Sequence, residues 1–236
     1  MLVKKWLYAI ISVFFFLSFI STTKAAPDGI ELKDYQDRAH LVMAINNEAV
    51  NRLMGETILL PRASFNAEQA AGIINTLARL PEPLLLKIHN AGIVVRLFDG
   101  KLTDNPSARH LKGVTPRGYS NGTTWDAVPG IGGSKIVLVK IGSSGKGNGH
   151  GSVNLELHEL AHSVDRLIYD SFSQKDSFKA IWEKERSILF PRQDYFLLYP
   201  EEYFAEAFAL YYYSSETNAY LEKNAPSTYH ILKGLD

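Results

Sequence analysis

Cysteine is absent from all 236 residues. A disulfide framework and a thiolate metal site are both excluded, so any metal must be held by histidine and carboxylate ligands. Lipid attachment at a cysteine is excluded as well. Excess charge is also missing, because 25 basic residues balance 25 acidic ones. Residues 1–25 carry Lys4, Lys5 and Lys24 and no acid, which leaves 22 basic and 25 acidic residues beyond them, formally −3. That balance gives no electrostatic footing for nucleic acid or an anionic membrane surface, and neither is expected as a partner. Repeats, long linkers and long low-complexity tracts are absent. The apolar run from Trp6 to Ile20 is shorter than the ~20 residues wanted for a membrane span. It follows Lys4 and Lys5 and precedes a small-x-small site at Thr23-Lys24-Ala25. Residues 1–25 therefore read as a secretory signal peptide, with a secreted, extracellular product and no stable membrane anchor. The remaining 211 residues suit one domain with a sizeable core.

What is present is more specific. His158-Glu159-Leu160-Ala161-His162 reads H-E-x-x-H. On a helix, residues four apart share a face, so both imidazoles can reach one metal ion, and Glu159 can sit beside a water there. Two surface histidines on an ordinary helix give the same five letters. Two histidines also leave a catalytic metal short of a ligand, since such sites usually take three protein ligands and keep one position open. Asp165 and Ile168 occupy the positions where a metzincin continuation needs Gly and His. The third ligand must come from elsewhere, and Glu202 in Tyr199-Pro200-Glu201-Glu202-Tyr203-Phe204-Ala205-Glu206 is the best candidate. Pro200 suits a first helical turn. Glu202 and Glu206 share a face, as a ligand and a carboxylate orienting a ligand histidine, or as two solvated glutamates near a helix N-terminus.

A coarse pass places these motifs. Residues 34–54 read as an amphipathic helix packing through Leu41, Val42, Ile45, Val50 and Leu53. Ser64 or Asn66 can cap a helix through Ala78, and a short helix follows to His89. Ile93–Phe98 and Ile136–Ile141 read as strands. Residues 143–151 form a glycine-rich connector or a mobile cleft edge. Asn154 caps the motif helix, whose buried stripe is Leu157, Leu160, Ala161, Val164 and Ile168. Helices are expected near 174–188, 201–214 and 217–232. His40, His89, His110 and His230 lack ligand spacing, and His150 can border a cleft.

Several segments together resemble the secreted Pro-Pro endopeptidases, which share a peptidase domain with anthrax lethal factor. They are Thr115-Pro116-Arg117-Gly118-Tyr119, Thr124-Trp125-Asp126-Ala127-Val128-Pro129-Gly130, Asn154-Leu155-Glu156-Leu157-His158-Glu159, Tyr199 to Glu206, and Asn224-Ala225-Pro226. The likeness runs from about Leu111 to Leu232, with a looser match at Leu102-Thr103-Asp104-Asn105. It implies one Zn2+ ion held by His158, His162 and Glu202, with Glu159 as general base and Tyr195 steadying the oxyanion. Glu206 would orient a ligand imidazole. Tyr119 stands where the family pattern places a tryptophan, so it would form an aromatic cleft wall of changed area. Arg117 and Glu201 would pair across the cleft rim.

The fold expected is α+β and zincin-like, mostly helical, with a small β-sheet beside the metal helix. A helical N-terminal part to about residue 90 would precede a catalytic part at about 91–236. The function implied is a monomeric secreted zinc metalloendopeptidase acting on proline-rich secreted or cell-surface proteins, at Pro-Pro bonds. Two other readings are a lethal-factor-like zinc peptidase with non-proline specificity and a non-catalytic zinc-containing binding module. The second is disfavoured, because structural zinc is usually closed by four protein ligands.

Overall fold

The structure is a computed structural model that describes residues 28–119 and 122–235. The expected signal peptide at 1–25 lies outside the described residues. A five-stranded sheet is built from β1 (Ile30–Glu31), β2 (Ile58–Leu60), β3 (Val94–Phe98), β4 (Gly130–Ile131) and β5 (Ile136–Lys140), in the order β1-β2-β3-β5-β4. The central pairs β2–β3 and β3–β5 are parallel, and the outer strands β1 and β4 run antiparallel. Period-two alternation decides the faces. Val137 and Val139 join Val95 and Leu97 in the main helical core, while Leu138 points to a smaller cluster with Phe98, Leu102 and Ala108. The architecture is thus mixed α and β, mostly helical with a small sheet.

The expected helix at 34–54 is three pieces instead: a 3-10 turn at Leu32–Asp34, α1 (Arg38–Leu41) and α2 (Glu48–Thr57). The reason is Asn47, whose side chain accepts from the N–H groups of Ala49 and Val50 and so starts a new helix. Leu41, Val50 and Leu53 are still buried. Asn66 is the cap of α3 (Ala67–Leu77), and α4 is Glu82–Asn90. The expected helix at 217–232 is two, α9 (Ser215–Asn224) and α10 (Pro226–Lys233). Pro226 has no N–H with which to continue a helix and is well placed to begin one. The buried Glu185 carboxylate accepts from the N–H groups of Ser227 and Thr228 and caps that start.

Two helices position the site. Asn154 Oδ1 accepts from Leu157 N at 3.0 Å and opens α5 (Leu155–Leu167). Leu157, Leu160, Ala161 and Val164 face the core. The opposite side of α5 lies against α8 (Pro200–Tyr213), not against water. Every residue of α8 from Glu202 to Leu210 is buried, so it is a central helix. Between them come α6 (Asp176–Leu189) and a short α7 (Asp194–Leu198).

Candidate active site

Glu202 and Glu206 are only 7% and 4% exposed, which rules out two solvated glutamates. His158 Nε2 and His162 Nε2 lie 3.3 Å apart, and Glu202 Oε2 is 3.3 Å from each. The three donor atoms therefore form a near-equilateral triangle. A tetrahedral centre with bonds of about 2.0–2.1 Å needs ligand atoms about 3.3–3.4 Å apart. The donor set and its spacing both fit one such metal ion, and His158, His162 and Glu202 can hold it.

The next layer fixes the ring orientation. His158 Nδ1 lies 3.1 Å from Glu206 Oε2, so Nδ1 donates to that carboxylate and Nε2 points inward, where its lone pair would meet a metal ion. Glu206 Oε1 in turn accepts from Val153 N at 2.8 Å. Burial disfavours charge on His158, but the carboxylates of Glu202 and Glu206 outweigh it and hold its pKa up at about 10. Burial likewise opposes the charged form of Glu202. The hydrogen bonds and charges of the two histidines reverse that and hold its carboxyl far below the usual range.

Glu159 faces the cleft beside this triangle. Protein surrounds it on its other sides, and that desolvation raises its pKa. Its neighbour is the segment Gly130-Ile131-Gly132-Gly133, which begins in β4 and has a side chain only at Ile131. A Cβ on Gly132 would sit 1.9 Å from the Glu159 carbonyl oxygen, and one on Gly130 would sit 2.8 Å from Glu159 Cγ. Ser163, one turn further along α5, accepts from Gly133 N at 3.0 Å and donates to Ser134 O at 2.7 Å. Strand and helix are pinned together on both sides of the glutamate.

Across the cleft, the Tyr195 hydroxyl donates to Glu202 Oε1 at 2.9 Å. Arg117 Nη2 lies 2.6 Å from Glu201 Oε1, and its guanidinium stacks 4.0 Å over the Tyr199 ring. Gly118 presses on Tyr195, where a Cβ would come within 2.9 Å of Cε2. Tyr119 is half-buried, and its hydroxyl pKa is raised by that burial and by the charges of Glu159 and Glu202. Eight of the sequence-predicted residues thus line one cleft of about 980 Å³, and Glu206 stands behind it. His150 also borders the cleft, with Nε2 2.7 Å from Ser143 O. His40, His110 and His230 are exposed elsewhere, and His89 faces Glu56 at 3.6 Å.

The chain is similar to known proteins over most of its length. A family model described as anthrax toxin lethal factor, N- and C-terminal domain, matches residues 44–235. A Pro-Pro endopeptidase of Paenibacillus alvei is 40% identical over 184 residues, covering 78% of this chain and 84% of that protein. A Pro-Pro endopeptidase of Clostridioides difficile is 36% identical over 233 residues, covering 98% of this chain and 97% of that protein. The chain belongs to the Pro-Pro endopeptidase family. The solved structure of the P. alvei Pro-Pro endopeptidase matches with a TM-score of 0.73 and 39% identity, over 80% of this chain and all of that one.

Several residues that shape the site in this Pro-Pro endopeptidase family member escape a reading of the sequence. Gly130, Gly132 and Gly133 were signalled only by their run ahead of a strand, and Ser163 by nothing in its own segment. Asp165 accepts from Ser173 N at 2.8 Å and Ser173 Oγ at 2.6 Å, which sets the turn carrying Gln174. Gln174 then donates to the free oxygen of Glu201 at 2.9 Å. Asp126 ties Thr103, Gly113 and Thr124 together, on either side of the Arg117–Tyr119 segment in the chain.

Proposed function

We propose that this protein is a secreted, monomeric zinc endopeptidase that hydrolyses Pro-Pro bonds in proline-rich secreted or cell-surface proteins. The observation that carries the reading is the 3.3 Å triangle of His158, His162 and Glu202 with Glu159 beside it in an open cleft. The zincin-like assignment rests on the same arrangement: an H-E-x-x-H helix next to a sheet edge, with a third ligand from a following helix. A zinc ion held by these three residues supplies Lewis acidity, which acidifies water and polarises a carbonyl.

The chain's own residues supply the rest. Glu159 accepts the proton of the attacking water at its carboxylate and returns it to the leaving nitrogen. Its raised pKa suits a group that must both take and give a proton near neutrality. The Tyr195 hydroxyl donates a hydrogen bond to the developing oxyanion, a contribution of about 3 kcal/mol. A proline at the scissile nitrogen has no N–H to dock, and both prolines are locked near φ of about −65°. Shape must then replace hydrogen bonding, and Tyr119 offers an aromatic wall for a pyrrolidine ring.

Secretion is supported by Lys4, Lys5, the apolar run and Thr23-Lys24-Ala25. The catalytic part, from about residue 91, follows a mostly helical part that also lends β1 and β2 to the sheet. None of the described helices is long and apolar enough to cross a membrane. The experiment is a peptide library centred on Pro-Pro, digested by the purified zinc-loaded protein, with product masses read. Cleavage between the two prolines is expected. Cleavage elsewhere would point to a lethal-factor-like specificity, and no cleavage of any member would refute peptidase action on such substrates.

A further inference from the structure

The two oxygens of Glu202 have different partners. Oε2 faces the imidazole nitrogens at 3.3 Å. Oε1 receives the Tyr195 hydroxyl at 2.9 Å and has Arg117 Nη2 at 3.6 Å. The proposed ligand and the proposed oxyanion donor are therefore bonded to each other. A tyrosine hydroxyl has one proton, so it cannot donate to Glu202 and to an oxyanion at the same moment. When Tyr195 turns to the substrate, Oε1 loses its closest donor. A carboxylate released at Oε1 would be free to rotate, and Glu202 would then hold a zinc ion less firmly.

We propose that Arg117 is the positioning residue that prevents this: it retains Glu202 Oε1 while Tyr195 is handed over to the substrate. Arg117 is held independently of Tyr195, by Glu201 Oε1 at 2.6 Å and by stacking on Tyr199. It also carries a permanent charge, so it supplies a donor at every stage of turnover. The two Oε1 partners are adjacent by construction, since Gly118, the next residue after Arg117, packs directly on the Tyr195 ring. One loop therefore sets both the ligand's retainer and the oxyanion donor.

The inference rests on the zinc-peptidase reading, and it is tested without reference to activity. Zinc-loaded wild type, Tyr195→Phe, Arg117→Met and the double variant are mixed with a chromogenic chelator, and the rate of zinc release is followed. Each single variant should release zinc a few-fold faster, because the other donor still holds Oε1. The double variant should exceed the product of the two, reaching roughly the 10–100-fold range for losing an outer partner of a metal ligand. Arg117→Lys in the Tyr195→Phe background should recover part of the loss. An Arg117→Met change that leaves release unaltered in the Tyr195→Phe background overturns the proposal. Arg117→Gln, at the same exposed position, serves if the methionine variant does not fold. A wild-type protein that holds no zinc would instead overturn the zinc reading itself.

Discussion

His158 Nδ1 and Glu206 Oε2 lie 3.1 Å apart, and this contact decides which ring nitrogen faces the metal position. Glu206 is itself oriented by Val153 N, from the residue just before the cap of α5. The backbone that starts the helix therefore also aims the carboxylate that aims its first histidine.

Glu206→Ala should weaken zinc binding by about 10–100-fold without abolishing it. Glu206→Gln should fall between, since its amide oxygen can still accept from Val153 N or from His158 but lacks the charge. Competition titration against a chelator of known affinity reads both. An unaltered affinity in Glu206→Ala would remove the orienting role.

Glu159→Gln should retain fold and zinc while losing nearly all turnover. Glutamine keeps the shape that fits against Gly130 and Gly132, yet it cannot accept a proton. Zinc content, thermal midpoint and kcat are measured on one preparation. Activity within a few-fold of wild type would move the base elsewhere.

Asp126 makes a pH prediction with a fixed sign. The Thr103 hydroxyl first, then Gly113 N–H and the Thr124 hydroxyl, hold its pKa down at about 2. A depressed folded-state pKa stabilises above the unfolded value of about 4, and that contribution is lost as pH falls through about 2. Asp126→Asn should therefore lower the thermal midpoint at neutral pH, and the gap to wild type should close between pH 4 and 2. A gap that stays constant over that range would assign the loss to packing alone.

The legible part of this molecule was the local part. The cap Asn154, the H-E-x-x-H spacing and the helical stripe all lie within a few residues of one another, and each survives folding in place. Pro200 opening α8 and the one-turn spacing of Glu202 and Glu206 were equally local. The helix expected at 34–54 failed because an apolar rhythm carried across Asn47, whose side chain restarts the backbone hydrogen bonding. Strands β1 and β4 are two residues long, too short for any periodicity to register. Ser163 is bonded to Gly133 and Ser134, about 30 positions earlier. Such contacts come from the tertiary fold, and no local pattern announces them.

The last prediction concerns the protein stripped of zinc. With its pKa raised to about 10 by Glu202 and Glu206 against the penalty of burial, His158 is protonated at neutral pH in the stripped fold. A raised folded-state pKa contributes stability that is fully present below the unfolded value of about 6.5 and is lost as pH rises through about 10. The thermal midpoint of chelator-treated protein should thus fall between pH 6.5 and 10. Zinc-loaded protein should show no such fall from this residue, because a ligand imidazole carries no proton on the donating nitrogen. Stripped Glu206→Gln should show a smaller fall, since one of the carboxylates that raise the pKa is gone. Parallel pH profiles for the stripped and loaded wild type would show that His158 does not carry this charge.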